Sequence, residues 1–292
     1  MNYIRPKKIE QGMTIGIISI SGCIRDPKTV EVGIENLHKL GFKTKVSKFL
    51  FDTNRYLAGS DECRLQELHD FFTDSEVDCI LCSRGGYGAL RIIDKIDYEL
   101  IRKHPKAFCG YSDITAFSAM FLKHAGLITY SSPMLCGDFG NENNSEYTIS
   151  NFLKAINHEF LEYELCGDYD KQTEGIAFGG NLTTIASLCG REFLPNEGFI
   201  FIVEDINEPA YKIDRCLEQL YGLEEFRENI RGIVAGDFTD TNGEELSEIL
   251  DEFSKKLQIP LWTGLKLGHD YEKVTFPIGN ICKIQGNKIF FK

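Results

Sequence analysis

The stretch KAFCGYSDITAFSAMFLKHAG, Lys106–Gly126, passes directly from an apolar run into a helical pattern. KAFCGY reads as a short strand, and DITAFSAMFLKHAG as a helix that follows it without a loop. A strand feeding straight into a helix is half of a βαβ unit, so the question is whether the neighbouring sequence repeats it. Upstream it does. MTIGIISIS is a continuous apolar run, and VEVGIENLHKLGF has helical spacing through Val32, Leu37 and Leu40 before stopping at Gly41. KTKVSKFLF reads as a strand, and SDECRLQELHDFFTD as a helix capped by Ser60 or Asp61 with Leu65, Leu68 and Phe72 on one face. VDCILCS, the glycine-rich RGGYG and a helix ALRIIDKI complete the series. Apolar runs alternating with amphipathic helices predict an α/β fold with a parallel, flavodoxin- or Rossmann-like sheet. In such sheets chemistry gathers at the carboxyl ends of the strands.

Downstream the pattern changes. From about Cys136 to Thr173 the chain is polar and irregular around one helix, TISNFLKAINHEF. GIAFGGNLTTIASLCG, GFIFIVEDINEPAYKIDRCLEQLYG, IRGIVAGDF, EELSEILDEFSKKL, IPLWTGLKLG and two closing runs then predict a second, mixed α/β domain. The expected division is 1–150, a connecting segment 151–174, and 175–292. A length of 292 residues suits two such domains.

A net charge of −12 leaves no basic stripe for a phosphate backbone, which argues against a nucleic-acid partner. Ten cysteines are many, but they are scattered through apolar runs and read as small buried hydrophobes in a reducing compartment. Cys79 and Cys82 would face opposite ways along a strand, with no second pair nearby to complete a metal site. Neither metal nor cofactor is expected. The opening basic residues, short apolar run and Ile20-Ser21-Gly22-Cys23 resemble a lipoprotein cleavage site, but Glu10 and Gln11 interrupt the pattern, so a first buried strand is the expectation. No run has the apolar length of a membrane helix, and the cytoplasm is the expected compartment.

Ser112 stands at the strand–helix corner. There it is either an ordinary helix cap or a nucleophile lifted above the sheet edge, with the Asp113 amide beside it as an anion donor. The elbow pattern G-x-S-x-G is half met: Gly110 is present, but Ile114 replaces the second glycine. A nucleophilic serine needs a base. His38, His69, His124 and His158 fall in or at the ends of predicted helices and His104 precedes Pro105, whereas His269 lies in a loop after a predicted strand. An acid to orient it could be Glu204 or Asp205, both directly after the apolar run GFIFIV. The loop Arg84-Gly85-Gly86-Tyr87-Gly88 matches no nucleotide-binding pattern, and its amides could supply a second oxyanion donor. Trp262 reads as core, and Arg215 as a helix-surface or inter-domain residue.

Together SRGGYGALR, GYSDIT, GGNLT, VEDINEPAYKIDR and GHDYEKVTFPIG resemble, in order and along nearly the whole chain, the LD-carboxypeptidase family of serine peptidases, which includes the microcin-C immunity peptidases. The resemblance implies an N-terminal α/β domain carrying the serine and a C-terminal domain carrying the glutamate and histidine. It implies Ser112 as nucleophile, Glu204 as orienting acid, His269 as base, and the Asp113 amide with one from Gly85 or Gly86 as the oxyanion hole. The implied reaction is cofactor-free removal of terminal D-alanine from a murein tetrapeptide in cell-wall recycling. The alternatives are a peptidyl-nucleotide immunity peptidase with the same triad, or a non-catalytic binder of small ligands. Arg84 is the expected partner of a substrate carboxylate, unless it makes a structural pair. The expected partner is a small muropeptide, with a homodimer left open. The chain departs from the family's usual Pro-Ser after the first strand, carrying SISGC there.

Overall fold

The computed structural model describes residues 3–291 except 169, 240 and 242. Five apolar runs form β1 (Thr14–Ile18), β2 (Lys43–Val46), β3 (Cys79–Cys82), β4 (Ala107–Cys109) and β5 (Thr129–Ser131). They pair in parallel in the order β5-β4-β3-β1-β2. Helices α1 (Pro27–Lys39), α2 (Asp61–Thr73), α3 (Tyr98–Lys103) and α4 (Ile114–Met120) alternate with these strands. β3 is buried along its whole length, as a parallel sheet covered on both faces requires. Cys79 and Cys82 are both buried there, and the Cys79 sulfur lies 3.7 Å from that of Cys109, not against Cys82. The chain leaves β1 in one direction for β2 and leaves β3 in the other for β4 and β5. The loops after β1 and β3 therefore diverge, opening a crevice at the carboxyl ends.

After α5 (Glu146–Ile156) come β6 (Leu161–Glu164), β7 (Cys166–Gly167), β8 (Gln172–Asn181), β9 (Phe199–Ile206), β10 (Ile230–Thr239) and β11 (Leu261–Thr263). β12 (Phe276–Ile278), β13 (Ile281–Gln285) and β14 (Lys288–Phe291) close the chain. The second sheet has the order β6-β14-β13-β8-β9-β10-β11-β7, parallel from β8 to β11 and antiparallel at both flanks. Helices α6 (Leu182–Ala186), α7 (Ala210–Tyr221), α8 (Glu224–Asn229) and α9 (Gly243–Leu257) serve it. β12 alone returns to the first sheet, antiparallel to β5. The fold is thus α/β, with an N-terminal sheet that is parallel except for its antiparallel edge strand β12, and a mixed C-terminal one. Trp262 is fully buried, as expected of core, and Arg215 lies exposed on α7.

Some local readings are corrected. ALRIIDKI is not a helix but two 3₁₀ turns, Ala89–Arg91 and Ile93–Lys95. Its polar groups are claimed from outside: the Ala89 amide donates to Asp113, and the Ile93 carbonyl accepts the Tyr98 hydroxyl. α1 begins earlier than its apolar spacing indicated, because Asp26 caps it and Pro27 occupies its first turn. Its buried face is consequently Val30, Gly33 and Leu37.

α4 joins the two sheets. The Thr115 hydroxyl accepts the Asn181 amide at 3.1 Å, bringing the serine corner against the end of β8.

Candidate active site

β4 ends at Cys109, and by Ile114 the chain is helical. Making that turn forces Ser112 into the left-handed region, at φ +62°. A non-glycine residue there is strained by about 1–2 kcal/mol, which the packing around it must offset. Asp113 holds the position before the helix but does not cap it with its side chain. Its buried carboxylate instead accepts the Ser21 hydroxyl at 2.6 Å and the Ala89 amide at 2.9 Å. Burial raises its pKa, and those two bonds pull back in the opposite direction. Asp113 thereby ties the loops after β1 and β3 to the serine corner.

Gly85 lies directly against the serine. A Cβ at Gly85 would come within 2.8 Å of the Ser112 Cβ and 3.0 Å of its Oγ, so only glycine fits. Its carbonyl accepts the Gly22 amide at 3.1 Å, so the SISGC departure touches this loop from behind. Among the described residues the amides of Gly85, Gly86 and Asp113 donate to no acceptor. Arg84 donates from Nη1 to the Cys23 carbonyl at 2.9 Å, a structural bond, while the side chain also lines the cavity in front of Ser112.

That cavity holds about 420 Å³ and is lined by Ser112, Gly85, Gly86, Arg84, Tyr111 and His269, among others. His269 reaches it from the second sheet. The Asp237 amide on β10 donates to the Leu267 carbonyl and the Val274 amide to that of Lys266, fixing both ends of the loop after β11. Gly268, at φ +130°, lets the backbone pass the acid: a Cβ there would meet the Glu204 Oε2 at 3.0 Å. His269 Nδ1 and Glu204 Oε2 are 2.9 Å apart. Glu204 is only 2% exposed, and its pKa is raised, chiefly by burial, against the lowering effect of His269. With Nδ1 held by that acid, Nε2 is the ring nitrogen left to accept a proton. Ser112 and His269 share the cavity without a direct hydrogen bond. In unliganded sites such bonds are commonly long and tighten with substrate.

The structure also separates the two acids left open by sequence. Asp205 turns away from His269, accepting from the Asn181 side-chain amide at 2.9 Å and from the Thr183 amide and hydroxyl. Sequence reasoning missed Tyr111, whose ring meets that of His269 edge-on at 5.0 Å, and Lys273, whose ammonium lies 4.9 Å from the Tyr111 ring centre. Lys273 is buried and paired with Asp138, which stands far from it in the chain, so no local signal marked the pair. The other five histidines lie away from the cavity lining; His69, for example, accepts the Asp97 amide.

A serine at a strained corner, free amides beside it and a histidine backed by a buried carboxylate can together perform acyl transfer. Comparison with known proteins agrees. Family models described as the LD-carboxypeptidase N-terminal domain and the LD-carboxypeptidase C-terminal domain match residues 15–132 and 174–284. The chain is 34% identical to a probable murein peptide carboxypeptidase of Bacillus subtilis, over 96% of this chain and 90% of that one. The crystal structure of an MccF-like protein from Bacillus anthracis superposes with a TM-score of 0.90 at 28% identity, covering 99% of both chains. That of a muramoyltetrapeptide carboxypeptidase from Oxalobacter formigenes gives 0.87 at 29% identity, covering 96% of this chain and 98% of that one. The chain therefore belongs to the LD-carboxypeptidase family and is a serine-type peptide hydrolase.

Proposed function

We propose that this enzyme releases terminal D-alanine from murein tetrapeptide in the cytoplasm, using Ser112, His269 and Glu204. The observation that carries the assignment is the 2.9 Å contact of His269 with the buried Glu204, on a cavity that Ser112 also lines. His269 Nε2 takes the Ser112 proton as Oγ attacks the scissile carbonyl. The oxyanion that forms is held by the amide of Asp113 and that of Gly85 or Gly86. His269 then protonates the leaving amine, and the C–N bond breaks to give an acyl-enzyme. Water, deprotonated by the same histidine, releases the shortened peptide. Glu204 holds the imidazole tautomer and stabilises the imidazolium. No metal or cofactor enters any step.

The proposal divides the chain as 1–150 with the serine, a connection over 151–174, and 175–292 with the acid and base. The murein substrate is favoured because relatives bearing murein names match over nearly the whole chain. Among the described residues no helix is long and apolar enough to cross a membrane, which is compatible with a cytoplasmic peptide substrate. The test is incubation with a murein tetrapeptide and its all-L analogue, followed by mass spectrometry. Release of alanine from the first and not the second is expected. Release from neither would sink the murein assignment.

A further inference from the structure

Next to the catalytic cavity lies a second, larger groove of about 810 Å³, lined by Gly22, Cys23, Arg25, Arg55, Tyr56, Arg84, Gly86 and Tyr87. It shares Arg25, Arg84 and Gly86 with the catalytic cavity, so the two are continuous. Three arginines meet there and no acid lines it, in a protein of net charge −12. Among the described residues none of the three has a carboxylate within ion-pair distance, whereas Arg64, Arg91 and Arg191 each have one. The acid in the adjoining cavity, Asp26, is engaged in capping α1. Tyr56 and Tyr87 are 52% and 44% exposed, with ring centres 5.8 Å apart, and the Arg55 guanidinium sits 5.5 Å from the Tyr56 ring centre.

The wall is built, not merely open. The Cys23 amide donates to the Tyr56 carbonyl at 3.0 Å, and the Ala58 amide to that of Ser21 at 2.9 Å. Asn54 and Leu57 exchange two backbone bonds that close the turn, and Arg55 within it takes φ +61°. These contacts fix the Arg55–Tyr56 backbone against the loop after β1.

The direction of the groove assigns its occupant, and this step rests on the peptidase reading above. His269 must stand on the leaving-group side to protonate the departing amine. The groove meets the catalytic cavity at Arg84 and Gly86, and His269 does not line it. It therefore extends on the acyl side of the scissile bond. We propose that it binds the carboxylate-bearing segment of the peptide upstream of the cut, with Arg55 and Arg25 reading the carboxylates and Tyr56 and Tyr87 packing on the chain between them. Arginine suits this role because its planar donors match a carboxylate in pairs. The groove would thus set specificity for acidic acyl segments, separately from the chemistry at Ser112.

The experiment compares a murein tetrapeptide with the same peptide carrying its upstream side-chain carboxylates as amides, on wild type and on Arg55→Gln with Tyr87→Leu. Both substituted residues are exposed, so folding is expected to hold and is checked by thermal melting. Wild type should favour the acidic peptide about tenfold in kcat/KM, through KM, and the variant should lose most of that preference. Equal kcat/KM for both peptides on wild type would overturn the subsite and leave the peptidase reading intact. If wild type cleaves neither, the murein assignment fails, and calorimetric binding to Ser112→Ala decides the subsite. Binding of the acidic peptide that weakens about tenfold with Arg55→Gln supports it, and binding indifferent to Arg55 overturns it. Adenosine monophosphate is the third ligand. Binding tighter than the acidic peptide and dependent on Arg55 would assign the groove to phosphate, overturning the carboxylate reading.

Discussion

Ser112 sits at φ +62°, and the strain is borne by the proposed nucleophile. Two substitutions separate strain from chemistry. Ser112→Ala removes the hydroxyl and keeps the unfavourable backbone; Ser112→Gly removes both. Each should lower turnover by about 10³-fold or more, since the covalent step is lost. Ser112→Gly should be more stable than Ser112→Ala by about 0.5–1 kcal/mol, the relief of strain exceeding the extra freedom of the unfolded chain. Urea melts of the two variants test this directly, and equal midpoints would mean the corner carries no strain. The corner was half legible in sequence. Gly110 and Ser112 gave the elbow, but the missing second glycine obscured it. The reason lies in packing: a Cβ at Gly110 would meet the Ile114 side chain at 3.0 Å, so the first glycine makes the room that Ile114 fills. The separation of Glu204 from Asp205 could not be read locally, because it depends on where β8 and the loop after β11 lie beside β9.

At the scale of elements, strands and long helices were legible because their periodicity reflects burial, whereas their ends depended on partners distant in sequence. α2 illustrates both. Its cap Ser60 and buried Leu68 and Phe72 were readable, but Glu67 and Arg64 are buried on it as well. Arg64 donates from Nη2 to Asp61 and from Nη1 to the carbonyls of Ile20 and Gly88. Glu67 accepts the Ser19 amide at 3.2 Å, and burial pushes its pKa up to about 7. Its ordinary value is 4.5. Between these values the unfolded chain ionises first, so the folded state holds the extra proton. Stability from this residue is complete below about pH 4.5 and is lost as pH rises through about 7. The whole effect is of order 3 kcal/mol. Glu67→Gln, which cannot ionise, should therefore match wild type near pH 4.5 and exceed it by about 1–3 kcal/mol at pH 8. Denaturant melts of both proteins at the two pH values isolate the difference. A gap that does not grow with pH would show that Glu67 is already ionised in the folded state.

Across the whole molecule, the proposed mechanism draws its serine from the first sheet and its histidine and acid from the second, so their relative placement must be held. α4 contributes one tie through Thr115 and Asn181, and β12 contributes another by returning to β5. The third is the buried Lys273–Asp138 pair, which joins the loop carrying His269 to the turn after Met134. Asp138 also accepts the Met134 amide at 2.8 Å, and the Lys273 amide donates to Thr148 on α5 at 3.0 Å. Through Tyr111, the pair lies one ring away from His269. The sequence motifs marked His269 itself but gave no sign of this support, since an ion pair between distant residues leaves no periodic trace. Breaking one side should be costly. Asp138→Asn leaves a buried ammonium without its counter-charge and is expected to lose about 3–5 kcal/mol. Asp138→Leu with Lys273→Met removes both charges at similar volume and should recover most of that loss. Turnover should stay reduced in the double variant, because no ammonium then holds the Tyr111 ring against His269. Equilibrium unfolding and kcat measured on the single and double variants separate the two effects. Recovery of stability and turnover together would mean the pair serves packing alone, whereas recovery of stability without turnover assigns it to positioning the base.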